Sequence, residues 1–269
     1  MQKTISIDKE KCVHCGLCIK DCLLGCIEFD NNKIPRFKEG AEASCISCQH
    51  CFAVCPTGAL SYCGKDPSKS SKVSYGNPDE VLNLIKSRRS IRCFKNENIP
   101  QDKLQKLKEM LPYSPTGCNV DSLHFSFVET KEKMSEIKEL TNKKILDGSV
   151  TIPSVNNLKE IIKSGYDLIY RGATAMVAVS IDKERIIESC KNVDPIIALS
   201  YLDLYAQSIG VGTVWCGFAT TMMQQIPDLR SMLEIPKNCE LNYIMLLGLP
   251  DIQYVRTIQP EPFSISEIR

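Results

Sequence analysis

Two runs of cysteines near the start of the chain share one spacing and could bind metal. Both follow C-x2-C-x2-C-x3-C: the first comprises Cys12, Cys15, Cys18 and Cys22, and the second comprises Cys45, Cys48, Cys51 and Cys55. Three thiolates at intervals of three can surround one iron–sulfur cube, while the fourth cysteine starts the chain towards another. The spacing therefore predicts two [4Fe-4S] clusters, each borrowing one ligand. Two zinc sites are the alternative, but zinc rarely uses four thiolates at these intervals.

The fourth ligand of the first run has a competitor. The second run ends in Cys55-Pro56, whereas Cys22 is followed by Leu23 and the sequence then offers Cys26. Spacing favours Cys22 as the ligand. We expect Cys26 to replace a small residue that packs beneath a cluster.

A second chemical feature is a basic run that contains Arg88, Arg89, Ser90 and Arg92. Three guanidinium groups and one hydroxyl within five residues could hold a dianionic phosphate by charge-assisted hydrogen bonds. A solvated turn or helix end is the alternative interpretation of such a run. Nucleic-acid binding is poorly supported, because neither interleaved aromatic residues nor a broader basic surface accompanies the run.

Composition limits the possible classes of function. The 269 residues carry 33 Lys and Arg against 32 Asp and Glu, so a net charge of +1 gives no general attraction to nucleic acid or anionic lipid. Nine of the fifteen cysteines lie between Cys12 and Cys55. No stretch approaches the roughly 18 apolar residues of a spanning helix, and the first residues lack the apolar core of a secretion signal. We therefore expect a cytoplasmic protein whose reduced thiols bind metal.

The elements that position these residues change in character along the chain. Residues 1–63 are too few for a large core, so a unit held by its clusters is expected there. A linker rich in Ser, Lys, Gly and Pro follows over 64–78, and a larger unit over 79–269. Asp79 is the predicted cap of the first helix. Apolar spacing predicts helices over 79–88, 101–111, 131–146 and 195–209, and strands over 123–129, 175–181, 212–215 and 241–247.

Residues 5–63 resemble the bacterial two-cluster ferredoxins. That resemblance implies that Cys12, Cys15, Cys18 and Cys55 hold one cluster, and that Cys45, Cys48, Cys51 and Cys22 hold the other. The sequence departs from the family pattern at Leu23, where these ferredoxins usually have proline.

Three further motifs follow the basic run in order: SPTGCNVDSLHF at 114–125, GVGTVWCGF at 210–218 and LGLPDIQYVRT at 247–257. With the basic run, they resemble the FMN-dependent nitroreductase family over residues 79–260. The resemblance implies an α+β fold of nitroreductase type, a sandwich that dimerises. In such an intertwined homodimer, FMN would occupy two clefts between the subunits.

The resemblance also implies roles at the flavin. Contacts with the FMN phosphate, ribityl chain and pyrimidine edge would come from Arg88, Arg89, Ser90 and Arg92, with Arg256 completing the phosphate clamp. The loop that reaches the flavin from the neighbouring subunit would comprise Pro115, Thr116, Gly117 and Asn119. The segment that lies over one ring face and donates an N–H towards N5 would comprise Trp215, Cys216 and Gly217.

Two features of this half leave the chemistry open. Several family members carry Glu where this chain has Cys216, and no catalytic residue is identified. A variable cap near the substrate opening is expected over 148–172, with Ile152, Tyr166, Tyr170 and Phe218 as candidates to line the opening.

Together the two halves predict an FMN- and iron–sulfur-dependent oxidoreductase. Clusters carry single electrons, and flavin can pass electrons on in pairs. The expected substrate is an electron-poor organic acceptor, such as a nitroaromatic, a quinone or an activated alkene, with reduced ferredoxin or NAD(P)H as the donor. One alternative is a non-catalytic module that relays electrons through FMN to a partner protein. Another is a degenerate fold that keeps the clusters for regulation.

Overall fold

The computed structural model describes residues 3–269 and divides the chain into two compact units. The first unit runs to Tyr75 and also takes in Cys118–Val120; the second comprises Gly76–Gly117 and Asp121–Arg269. The division after Tyr75 falls inside the segment predicted to be a linker. Within residues 3–269, no helix is both long and apolar enough to cross a bilayer.

The first unit is built from short strands and helices. In chain order these are β1 (Ile5–Ile7), α1 (Leu17–Lys20), β2 (Ile27–Phe29), β3 (Pro35–Phe37), α2 (His50–Ala53) and β4 (Leu60–Tyr62). Strand β1 pairs antiparallel with β4, and β2 pairs antiparallel with β3. Each helix lies inside one cysteine run, so the helices position the predicted ligands.

The second unit is a four-stranded antiparallel sheet between helices. Its elements are α3 (Pro78–Ser87), α4 (Gln101–Met110), β5 (Leu123–Val128), α5 (Lys131–Leu146), α6 (Leu158–Lys163), β6 (Ala175–Asp182), α7 (Asp194–Ser208), β7 (Gly212–Trp215), α8 (Gly217–Gln225), α9 (Pro227–Met232) and β8 (Cys239–Gly248). The strand order is β5-β6-β8-β7. Elements of both kinds mix as predicted, which confirms the α+β class.

Strand β6 shows why the sheet needs helices on both faces, because every one of its residues is buried. Successive side chains of a strand point to opposite faces. Accordingly, Val177 and Val179 pack in one core cluster with α4 and α7, whereas Met176 and Ala178 pack in another with α5, α8 and α9.

The first helix of this unit begins earlier than predicted. Asn77, not Asp79, is the cap: its side-chain oxygen accepts from the Asp79 N–H at 2.9 Å. Pro78 then occupies the first helical position, where its missing N–H costs nothing. Asp79 lies in the first turn, where the helix dipole stabilises a negatively charged carboxylate.

Candidate functional site

Four predicted cluster ligands surround one small pocket in the first unit. Its lining includes Cys12, Cys15, Cys18 and Cys55. Gly16 has a φ of 72° and starts α1, which carries the buried Cys18. Burial, reinforced by the charges of Cys55 and Cys15, raises the pKa of the Cys18 thiol. The last cysteine of the second run therefore lies beside the first three of the first run.

The other four predicted ligands are also neighbours. Burial raises the pKa of Cys51 to about 11, and the charges of Cys45, Cys48 and Cys22 add to the rise. Among residues 3–269, no three His, Cys, Asp or Glu side chains converge as they would around a single ion. In the first set, the thiols surround a space instead of meeting at a point.

The last cysteines of the two runs have matching surroundings. The Cys26 N–H donates to Cys22 Sγ at 3.2 Å, and the Ala59 N–H donates to Cys55 Sγ at 3.2 Å. Both donors are buried, with exposed fractions of 2% for Cys26 and 3% for Ala59. Cys26 therefore lies where the second repeat has a small alanine, while Cys22 matches Cys55.

Amide groups counter the effect of burial on the Cys55 sulfur. Burial alone would raise the pKa of Cys55, but N–H groups of Leu60 and Ala59 and the Thr57 hydroxyl bring it below its usual value. Such donors stabilise a thiolate, the form that binds metal.

In the second unit, the basic run is an extended segment beside β7. Ser90 forms a parallel bridge with Thr213, and the Ile91 N–H donates to the Thr213 carbonyl at 2.8 Å. Further along, Phe94 pairs antiparallel with Pro250. The segment thus extends the sheet at the β7 edge.

Two glycines permit this close packing. A Cβ on Gly212 would lie 2.8 Å from Cγ1 of Ile91, and one on Gly248 would lie 2.5 Å from Cδ1 of Phe94. Since real Cβ atoms essentially never approach so closely, side chains at these positions would push the basic run away from the sheet.

The groups of the basic run do not all face one place. Arg89 lines a cavity of about 530 Å³ together with Lys95, whereas Arg88, Ser90 and Arg92 do not line it. The Arg89 backbone N–H donates to the Gln207 side chain at 3.3 Å. Arg92 is exposed. An extended backbone explains this alternation.

The chain after β8 passes the same cavity. Gln253 and Tyr254 line it, and the Asp251 N–H donates to the Cys93 carbonyl at 3.0 Å. Arg256 follows Tyr254 by two residues on this exposed tail. Within residues 3–269, the Arg256 guanidinium forms no ion pair.

A buried carboxylate connects Arg88 with β7. Asp203, on α7, accepts from the Thr213 hydroxyl, from Trp215 Nε1 at 3.1 Å and from Arg88 Nη1 at 3.5 Å. The Trp215 ring also packs against Tyr243, with centroids 5.4 Å apart.

Cys216 and Gly217 join β7 to α8. The Cys216 N–H donates to the Ile244 carbonyl at 3.0 Å, and its thiol donates to the Ile169 carbonyl at 3.2 Å. Burial raises the pKa of the Cys216 thiol. Cys216 is therefore a packing residue in this structure, whereas Gly217 is exposed at the start of α8.

The predicted flavin loop is held at Gly117. Its N–H donates at 2.9 Å to the buried Asp194 carboxylate, and a Cβ on Gly117 would lie 2.5 Å from the Cys190 sulfur. The two preceding positions differ in exposure, because Pro115 is exposed and Thr116 is half-buried.

Asn119, two residues beyond Gly117, belongs to the first unit. Its side-chain amide donates there to the Ile46 carbonyl at 3.1 Å. Asn119 has a φ of 55°, in the left-handed region that Asn tolerates well.

Sequence reasoning missed the two buried aspartates of α7. Asp194 and Asp203 both lie on α7, a helix that the sequence does predict. Asp203 directly follows the buried Leu202, so an acidic residue on the apolar face was an available signal. Buried carboxylates are rare unless hydrogen-bonded or paired.

Comparisons with known proteins agree with this architecture. The family model described as "Nitroreductase family" matches residues 85–249, and that described as "4Fe-4S dicluster domain" matches residues 11–59. A putative NADH dehydrogenase/NAD(P)H nitroreductase of Archaeoglobus fulgidus is 24% identical over 173 residues, which cover 64% of this chain and 86% of that protein.

Two solved nitroreductases with bound FMN have similar folds. The protein from Bacteroides fragilis is 25% identical with a TM-score of 0.57, over 70% of this chain and 99% of that one. The protein from Desulfitobacterium hafniense is 24% identical with a TM-score of 0.59, over 71% of this chain and 98% of that one.

Proposed function

Because this chain belongs to the nitroreductase family and carries an N-terminal 4Fe-4S dicluster domain, we propose that it passes electrons from two [4Fe-4S] clusters to FMN and reduces an electron-poor organic acceptor by two electrons. Family membership confirms the prediction of an oxidoreductase. The observation that carries the proposed electron supply is the pocket that Cys55 shares with Cys12, Cys15 and Cys18.

The thiols of the first unit fit iron–sulfur clusters in number, position and chemistry. One cluster would be held by Cys12, Cys15, Cys18 and Cys55, and the other by Cys45, Cys48, Cys51 and Cys22. Each run would lend its last cysteine, Cys22 or Cys55, to the cluster of the other run. The amide donors at these two sulfurs would stabilise their thiolates. Ligation would also stabilise this small unit.

The second unit fits an anionic ligand at the basic run. The buried Nη2 atom of Arg89 has no hydrogen-bond partner among residues 3–269, so an acceptor from a ligand would satisfy it. FMN is supported by the bound flavin of the Bacteroides fragilis nitroreductase. The FMN phosphate and ribityl chain would contact Arg88, Arg89, Ser90, Arg92 and Arg256.

The ring of the flavin would lie near the junction of β7 and α8. This junction comprises Trp215, Cys216 and Gly217. The loop from the neighbouring subunit would comprise Pro115, Thr116, Gly117 and Asn119. The Cys216 N–H is already bonded to Ile244, so Gly217 is the better candidate for the donor to the ring. The positive end of the α8 dipole at Gly217 favours negative charge there.

When bound, the clusters would supply electrons singly and the flavin would deliver them in pairs. The protein's part is to hold both cofactors and to shield the ring. Trp215 and Tyr243 pack together beside Gly217 and provide an apolar wall. Cys216, with its thiol bonded inwards, takes no part in proton transfer.

The donor and the oligomer are parts of the same proposal. The name of the Archaeoglobus fulgidus relative supports NAD(P)H as a donor, and the dicluster domain supports reduced ferredoxin. A homodimer is supported by the apolar side chains of the tail, because Val255, Phe263, Ile265 and Ile268 are 77% to 97% exposed. Apolar surface of this kind is typical of a protein interface.

The proposal can be tested by activity assays on anaerobically reconstituted protein. We expect reduced ferredoxin to drive reduction of a nitroaromatic, and we expect Cys55→Ser to abolish this activity while FMN stays bound. Cys63→Ser is the matched control, because Cys63 lies outside both ligand sets and should keep full activity. Rapid flavin reduction without turnover of any small acceptor would contradict the enzyme and favour a relay to a partner protein.

A further inference from the structure

The buried carboxylate of Asp203 contacts the basic run through Arg88. Asp203 is 4% exposed and lies on α7 among apolar residues that pack against the sheet. Burying a carboxylate is costly unless hydrogen bonds and charge compensate. Neighbouring donors must therefore compensate for the burial of the Asp203 carboxylate.

Three donors satisfy this carboxylate, and they come from two separate elements. The Thr213 hydroxyl donates to Oδ1, while Trp215 Nε1 and Arg88 Nη1 donate to Oδ2. Trp and Arg side chains can only donate, so an acceptor is required opposite both. Asp203 thus joins β7 to the end of α3.

The geometry leaves Arg88 able to bind an anion. Its guanidinium carries five N–H donors, and the contact with Asp203 involves only Nη1. The Arg88 side chain is 35% exposed, compared with 5% for Asp203. One side of the guanidinium is therefore held by the protein while the rest remains open.

Trp215 is held by the same oxygen atom. It is separated from Gly217 by one residue, and its ring packs on Tyr243. A movement of Asp203 would consequently displace both the arginine at the phosphate end and the indole at the ring end of the proposed flavin site.

We propose that Asp203 is a positioning residue of the flavin site, which acts through Arg88 and Trp215 to set the phosphate clamp and the ring wall together. The inference rests on the proposed binding of FMN and extends it to a residue that would not touch the cofactor.

The test compares FMN affinity in two variants that each lose a buried carboxylate. Asp203→Asn keeps the shape: its oxygen can face Arg88 and Trp215 while its amide faces the Thr213 hydroxyl, which can accept. Asp182→Asn is the matched control, because Asp182 is also buried and pairs with Arg185 at 2.9 Å. We expect the Kd for FMN to rise about tenfold in Asp203→Asn, since hydrogen bonds to charged groups are strong. We expect no change in Asp182→Asn.

Two further measurements separate positioning from a general loss of structure. Trp215 is the only tryptophan, so its fluorescence reports directly on this contact, and the emission should change in Asp203→Asn but not in Asp182→Asn. In the Arg88→Ala background, Asp203→Asn should weaken FMN binding by much less than in the wild type. Such non-additivity is expected when one residue acts through another.

The outcomes distinguish this inference from the proposed function. Wild-type protein that binds no FMN would contradict the function itself. If wild-type protein binds FMN, two results would overturn the role of Asp203. One is a Kd for FMN in Asp203→Asn that equals the Kd in Asp182→Asn. The other is a loss of FMN affinity on Asp203→Asn that is as large in the Arg88→Ala background as in the wild type. If Asp203→Asn does not fold, Thr213→Val removes one donor but keeps the charge. We expect it to weaken binding about threefold; unchanged affinity would overturn the proposal.

Discussion

The two neighbouring cysteines at the end of the first run can be told apart by substitution. In Cys22→Ala, one of the eight proposed cluster thiolates is lost. In Cys26→Ala, the chain acquires the residue that it already has at Ala59, in surroundings of matching burial. The hydrogen bond to Cys22 Sγ survives Cys26→Ala, because its donor is the backbone N–H at 3.2 Å.

The magnitudes follow from these contacts. Cys26→Ala loses the burial of a single sulfur atom, which costs about 1 kcal/mol by analogy with a buried methylene. The iron content of Cys26→Ala should stay at about eight atoms per chain. Cys22→Ala should lose one cluster and retain about four irons. The assay is iron and acid-labile sulfide per chain after anaerobic reconstitution, with Cys55→Ala as the matched control that loses the other cluster.

The opposite pattern would refute the reasoning. If Cys26→Ala halved the iron while Cys22→Ala kept it, Cys26 would be the ligand. The similarity between the Cys22 and Cys55 environments would then have no bearing on ligation.

Other expected outcomes concern the second unit and its independence from the first. Gly248→Ala should lower the free energy of unfolding by about 1–3 kcal/mol, because the new Cβ would meet the Phe94 ring at 2.5 Å; denaturant unfolding measures this, and Phe94→Leu in the same chain should restore part of the loss. Arg92→Ala should reduce bound FMN and leave iron unchanged, with Arg185→Ala as a control that keeps both. Cys45→Ala should reduce iron and leave FMN unchanged; loss of both cofactors in every variant would contradict two separately assembled units.

The sequence predicted those elements whose own periodicity decides their structure. The helix over 131–146 and the strand over 212–215 have the predicted bounds. Helix α8 was not predicted, because its sequence, GFATTMMQQ, mixes small and polar residues and its burial depends on packing against β8. Local patterns cannot reveal a contact of this kind.

Side-chain environments were harder to predict than elements. Ile152 and Tyr170 were candidates to line the substrate opening, but both predictions are wrong: the two residues are 4% and 2% exposed, and the Tyr170 hydroxyl bonds to Thr141 at 2.8 Å. The convergence of Arg88 and Trp215 on Asp203 brings together positions more than one hundred residues apart along the chain. Only the fold reveals such a meeting. The cysteine spacing, by contrast, is a local pattern, so the sequence alone could predict the 4Fe-4S dicluster domain.

The pairing of β1 with β4 has a consequence for how the 4Fe-4S dicluster domain can be joined to another protein. Because Ile5 lies opposite Tyr62, the first and last strands of this domain lie side by side. Domains whose two ends lie close together tolerate fusion with, or insertion into, another protein. The strand pairing therefore suits a domain that is joined to a different fold, as it is in this chain.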